Sequence, residues 1–275
     1  MKKIALTITL SFIILIGYAQ HKTWEVVRKD LLTAVVQISN QDGLGTGFVM
    51  CDSAFKKFYL ITNKHVVGKW GGMGDSVDVY NKISVIFYGA NGAPSYQDIL
   101  LKDANGNISN ILKMHPNRNI DVAIVKLANT ITHGDTIKYS QRAIPLDFLK
   151  SYKDLTTDEM ALSIGSTVFA IGYPLGARDV TTNEPIVKHA YISSDISKEF
   201  SFPANHGVFK GKIIFLDGLI NHGNSGGPVV TPQIIYLPLH PTQNYIIGLV
   251  SQGWDGTGMS LIYSSDYIKE VIKMF

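Results

Sequence analysis

Short apolar runs, broken by glycine, asparagine and aspartate, recur along most of the chain and predict many short strands. A first set falls at residues 33–38, 47–51, 58–62, 83–88 and 122–127. A second set falls at 167–171, 186–192, 212–216, 228–230, 245–250 and 260–263. Gln41-Asp42-Gly43 separates the first two runs and is a hairpin signal. The glycine-rich stretches 68–74 and 90–95 read as exposed loops. Between the two sets the chain is more polar and less periodic, as a connection between two β units would be. The last stretch differs in kind: Ile268, Val271, Ile272 and Phe275 fall at helical spacing. Ser265 or Asp266 would cap that helix, whose role is to cover β structure. No internal repeat is visible.

Composition narrows the class. With 275 residues, 45% apolar and 17% charged, the chain can bury a large core, and all-β proteins of this size are often one unit. A net charge of +3 is too small to indicate a nucleic-acid partner. Lys2 and Lys3 open a segment, residues 1–19, that has the form of an export signal: an apolar stretch at 4–16, then Gly17-Tyr18-Ala19 with small residues suited to cleavage before Gln20. That stretch is about 13 residues, against roughly 20 for a membrane-spanning helix. Export to a periplasm or out of the cell is expected, with no stable membrane insertion after cleavage; an uncleaved anchor is the other reading. No later run is long and apolar enough to cross a bilayer. Cys51 is the only cysteine, so no internal disulfide forms. It reads as a small buried strand residue, with an intermolecular disulfide as the alternative. Eight scattered histidines without a cysteine cluster suggest no metal, and no cofactor is expected.

Candidate chemistry centres on Gly223-Asn224-Ser225-Gly226-Gly227-Pro228. A serine among glycines can be a mere turn, or the nucleophile elbow of an α/β-hydrolase, whose partners follow in the order Ser, Asp or Glu, His. His240 is the only histidine after Ser225, and 226–239 contains no acidic residue, so that order is excluded. Upstream stand Thr62-Asn63-Lys64-His65-Val66-Val67 and Asp121-Val122-Ala123-Ile124-Val125. His65 closes an apolar strand, where a rigid element can position it. Asp121 opens a run apolar on successive residues, so its carboxylate enters a buried setting and needs a partner. An alcohol attacks a carbonyl poorly unless an imidazole takes its proton, and that imidazole works best beside a fixed carboxylate. The chain order His65, Asp121, Ser225 supplies base, orienting acid and nucleophile.

These residues make the chain resemble a trypsin-like, chymotrypsin-fold serine peptidase, of the bacterial branch that includes HtrA/Deg peptidases and glutamyl endopeptidases. Gly45-Thr46-Gly47-Phe48, Ala170-Ile171-Gly172-Tyr173-Pro174 and the strand from Gly248 carry the likeness further, over roughly residues 35–274. The resemblance implies an all-β fold: two six-stranded antiparallel barrels with the active site between them, and a C-terminal α-helix. It divides the chain into 20–130 (first barrel, with His65 and Asp121), 131–164 (connection), 165–264 (second barrel, with Ser225) and 265–275 (helix). It implies that the Gly223 and Ser225 N–H groups form an oxyanion hole, each donor worth about 2.7–4 kcal/mol. Substrates would be proteins or peptides. The chain stops without a PDZ module, so assembly cannot be carried over and the oligomeric state stays open.

Departures from the family are informative. Where animal digestive members place an Asp that pairs with a freed N-terminus, Asn224 stands, so activation by N-terminal insertion is not expected. By resemblance Leu219 lies at the base of the specificity pocket, where an Asp would select Lys or Arg. Glutamyl endopeptidases carry a His in the strand that here reads Gly248-Leu249-Val250-Ser251-Gln252-Gly253. Leu219, Ile220 and Met259, with Ser251, Gln252 and Gly253 along the substrate, imply cleavage after small or medium apolar residues. The alternative on the same scaffold is an inactive or self-processing binding protein; loss of one of the three residues would favour it, and none is lost.

Overall fold

The computed structural model describes residues 23–54, 56–89, 93–127, 131–132, 135–136, 139, 142–157, 160, 162–218, 220–236, 243–254 and 256–275. For 23–25, 131–132, 135–136 and 234–236 it describes the backbone path alone. Residues 1–19 and Leu219 lie outside the described residues, so the export signal and the pocket base are not placed by it. No helix among the described residues is long and apolar enough to cross a membrane.

The first unit contains Val35–Asn40 (β1), Gly43–Cys51 (β2), Phe58–Thr62 (β3), Lys82–Phe87 (β4), Ser95–Leu100 (β5), Leu112–Met114 (β6), Ala123–Leu127 (β7) and Ile144–Pro145 (β8). They form one curled sheet in the order β5-β4-β1-β2-β3-β7-β6, with β8 alongside β2 in parallel. The expected hairpin joins β1 and β2, and the Asn40 side chain accepts from the N–H groups of Asp42 and Gly43 to shape its turn. The second unit contains Thr167–Gly172 (β9), Ile186–Ile192 (β10), Ile213–Asp217 (β11), Pro228–Val230 (β12), Ile246–Trp254 (β13) and Met259–Ser264 (β14). These close into a six-stranded barrel, β12 pairing back onto β9. The all-β, two-barrel class is therefore as expected. The first unit departs in one detail: it is a half-barrel, not six closed strands. Its outer strands β5 and β6 are joined by a turn with one bridge, Lys102 to Ile108, in place of a ladder.

Strand geometry explains why the apolar runs do not alternate with polar residues. Successive side chains on a strand point to opposite faces, and here both faces are covered. Val49, Leu60 and Val125 point into the first unit's own core. Their neighbours Phe48, Met50, Tyr59, Ile61 and Ile124 point outward into a second core that also takes Tyr173, Ile213, Leu261 and Tyr263 from the other unit. Val168, Ala170, Leu216, Val229 and Ile262 fill the closed barrel. One core thus belongs to both units, and the site lies at its edge. Cys51 is buried in the first core, and that burial, with Asp52 adding, pushes its thiol up to about 11.

The terminal helix, Ser265–Ile272, lays Ile268 and Val271 into the shared core and its Glu270 against His115 of the first unit (2.8 Å). Its cap is Ser264, whose side chain accepts from the Asp266 N–H; Ser265 and Asp266 do not cap it. The reason is register: strand β14 runs directly into the helix, leaving Ser264 at the last extended position. The stretch 68–74 is also not a free loop. Gly68–Trp70 pairs with Val77–Val79, Met73 is buried, and Asn205 of the second unit donates to the Met73 carbonyl (2.9 Å).

Thr46 on β2 ties the two units together at the seam. Its N–H donates to the Ser225 carbonyl (2.8 Å), and its hydroxyl donates to the Gly223 carbonyl (2.5 Å) while accepting from the Tyr173 N–H (3.2 Å). All of this is buried, so removing the hydroxyl strands polar groups away from water. Thr46→Val is expected to lower the unfolding free energy by about 1–3 kcal/mol, measured by urea denaturation. Wild-type stability would refute the link.

Candidate active site

The register of two strands brings His65 to Asp121. β3 pairs antiparallel with β7, Thr62 opposite Ala123. The residues just beyond, in a short helix Lys64–Val67 on one side and at Asp121 on the other, therefore meet at the same end of the sheet. Asn63 fastens the corner by donating from its amide to the Asp121 carbonyl (2.6 Å).

Asp121 is fully buried and its carboxylate is surrounded by donors. His65 Nδ1 lies 2.6 Å from Oδ2, the Ser251 hydroxyl donates to the same oxygen at 2.6 Å, and the His65 backbone N–H donates to Oδ1 at 3.2 Å. Burial alone would raise its pKa, but the facing imidazole and these donors hold it below the usual carboxylate value. For His65, burial would lower the pKa, yet the charge and hydrogen bond of Asp121 outweigh it and hold the imidazole above its ordinary value. A carboxylate only accepts, so Nδ1 carries the proton in the neutral ring and Nε2 keeps a free lone pair. The ring is a base with a fixed tautomer.

Ser225 faces the same cleft from the loop between β11 and β12. Its hydroxyl donates to the Ser251 carbonyl (3.2 Å). Two glycines make the loop possible. Gly223 has φ +91°, and a Cβ there would meet the Tyr173 carbonyl; Gly226 has φ +86°, and a Cβ there would meet the Thr46 carbonyl. Leu175, itself at φ 54°, donates its N–H to the His222 carbonyl (2.7 Å). The carbonyl and N–H of a trans peptide point opposite ways, so this bond turns the Gly223 N–H away from Leu175. Asn224 is buried; its amide donates to the Asn221 carbonyl (3.1 Å), and the loop is closed from within.

A cleft of about 360 Å³ holds most of the residues singled out by sequence. His65, Ser225, Ile220, Ser251, Gln252 and Gly253 all line it, with Val250, Asn221 and His222. Met259 does not: it is exposed at the start of β14, opposite Asp217 and Trp254. The roles of several contributors were not foreseen. Ser251 was read only as a substrate-side residue, although its hydroxyl also holds Asp121. Thr46 was legible only as part of a glycine motif. Trp70, whose ring lies parallel to that of His65 at 6.5 Å between centroids, had no signal in the sequence. Among the described residues no cluster of His, Cys, Asp and Glu could hold a metal.

The profile of the trypsin-like peptidase domain family matches residues 45–233, a span that includes His65, Asp121 and Ser225. No curated protein matches the chain. Among solved structures, the active form of the Rv3671c protease from M. tuberculosis overlays with a TM-score of 0.52 at 17% identity, over 88% of this chain and 81% of that one, which shows a shared fold. The inactive form of the Rv3671c protease gives a TM-score of 0.49 at 16% identity, over 89% of each chain. With the family profile spanning most of its length, the chain belongs to the trypsin-like peptidase family and is a serine endopeptidase.

Proposed function

We propose that Ser225 is the nucleophile, His65 its general base and acid, and Asp121 the group that orients His65, in an exported enzyme that cleaves peptide bonds after small or medium apolar residues. The observation that carries this is the 2.6 Å contact between His65 Nδ1 and a fully buried Asp121, on the same cleft as Ser225. Rotation of the Ser225 hydroxyl from the Ser251 carbonyl toward Nε2 delivers its proton to His65 as Oγ attacks the substrate carbonyl. The imidazolium then protonates the leaving amine, and water repeats the sequence on the acyl-enzyme. The N–H groups of Gly223 and Ser225 receive the developing oxyanion, and the Leu175 and Thr46 contacts support the orientation this requires.

Specificity follows from the walls. Ile220 and Val250 give the cleft an apolar side, and among its described lining residues there is no Asp, Glu, Lys or Arg. A carboxylate to pair with a basic substrate side chain is therefore absent from that lining, which favours an uncharged one. Export rests on the basic start and short apolar stretch of residues 1–19. Cleavage-site profiling of a proteome with the purified protein, against a Ser225→Ala control, is expected to show Val, Ala or Leu before the cut; dominant Arg, Lys or Glu would refute this specificity.

Ser225→Ala is expected to abolish labelling by a fluorophosphonate probe and to lower kcat by a factor on the order of 10⁶. A folded wild type that fails to label would mean an inactive scaffold. The pH profile tests the base. Only neutral His65 can accept the proton, and Asp121 holds its pKa above the ordinary value of about 6.5. Activity is therefore expected to fall on acidification with a midpoint above about 6.5, and Asp121→Asn should move that midpoint down. A flat profile between about pH 5 and 8 would exclude His65 as base.

A further inference from the structure

Lys64 precedes His65 and is almost fully buried, at 3% exposure. Lysine is among the residues least often found in that state, because removing an ammonium from water is costly. Its Nζ donates to the Asn117 carbonyl (2.9 Å), its one hydrogen bond among the described residues. Asn117 belongs to the loop that leads into Asp121. That carbonyl also accepts the Ile120 N–H (3.1 Å), and the Asn117 side chain accepts the Asn119 N–H (2.9 Å). The far side of the loop is held by the second unit: Tyr263 donates to the Asn119 carbonyl (2.6 Å), and Glu270 meets His115 (2.8 Å). On the near side, Lys64 makes the connection to the helix that bears His65.

We propose that Lys64 is a positioning residue for Asp121, its buried ammonium latching the His65 helix to the loop that delivers the carboxylate. This rests on the peptidase reading above and assigns a role to a residue outside the three proposed to do the chemistry. A methionine of similar length would fill the same space without the desolvation cost, and Ile120 would still satisfy the Asn117 carbonyl. The charge is therefore not needed to fill the core. What it adds is a charge-assisted hydrogen bond, stronger than a neutral one, one residue from the base.

The latch is also titratable. Burial brings Lys64 down to about 8, with the negative Asp121 opposing that shift and Arg118 adding to it. Asp121 and Arg118 on the loop and His65 on its own helix are the charged or titratable groups nearest in the chain to this contact; Tyr263 and the His115–Glu270 pair pack on the loop's other side. The ammonium and its stronger bond are thus lost as the pH rises through that value.

The test compares the wild type, Lys64→Met and Lys64→Arg on one peptide substrate, with thermal unfolding measured in parallel. Lys64→Met is expected to unfold at the wild-type temperature or above it, to lose about tenfold in kcat and to leave KM unchanged. Wild-type kcat is expected to fall on the alkaline side with a midpoint near 8. That limb should be missing from Lys64→Arg, because a guanidinium does not lose its proton there. Lys64→Met with wild-type kcat would overturn the proposal, as would an alkaline limb that persists in Lys64→Arg. If neither variant folds, a wild-type kcat that is flat from about pH 7 to 9 overturns it alone. An inactive wild type would instead refute the peptidase reading, so the two failures are distinguishable.

Discussion

A carboxylate with no exposure to water lies at the seam between the two β units, and much of the site follows from what it requires. Asp121 is stable as an anion only because donors converge on it: a ring nitrogen and a backbone N–H from His65, and the Ser251 hydroxyl. The first two come from the half-barrel and the third from the closed barrel. Neither unit alone could bury this charge with its donors in place. The same constraint fixes His65, whose Nδ1 must face the carboxylate and whose Nε2 is thereby left open to the cleft.

The shared core makes that arrangement rigid. Strands whose alternate residues enter a private core and a common one cannot slide by a single position without exchanging the two sets. Phe48 and Val49, or Tyr59 and Leu60, would each change cores. The register of β3 against β7 is therefore held, and with it the meeting of His65 and Asp121. The terminal helix adds a second tie by crossing from the closed barrel to the loop that ends at Asp121. Polar contacts at the seam, Thr46 above all, transmit this order to the glycine turn around Ser225.

Much of this was legible in the residues. Short apolar runs predicted the strands, and the spacing of Ile268, Val271 and Ile272 predicted the helix. The order of His65, Asp121 and Ser225 excluded one hydrolase architecture and indicated another, because the order of catalytic residues reflects which elements carry them. Less legible was anything that depended on how two distant segments face each other. Met259 looked like a pocket residue but stands outside the cleft, since its position on β14 is set by pairing with β11 and β13. Ser264, not Ser265 or Asp266, caps the helix, because the cap depends on where the preceding strand stops. Closure of the first unit also escaped pattern reading: apolar periodicity marks strands, not which edges pair.

The linear chain thus determined the strand-rich class, the order in which His65, Asp121 and Ser225 occur, and the absence of an acidic residue where another hydrolase would need one. These are properties of residue type and order, and they survive without knowledge of contacts. Tertiary structure decided the rest: that Ser251 and His65 share one carboxylate, that Thr46 holds the glycine turn, and that the lysine beside His65 is buried. Each of those depends on groups brought within hydrogen-bonding distance across about 50 to 180 positions of chain. Hydrogen bonds act over about 3 Å, and no sequence pattern encodes so short a distance between such remote residues.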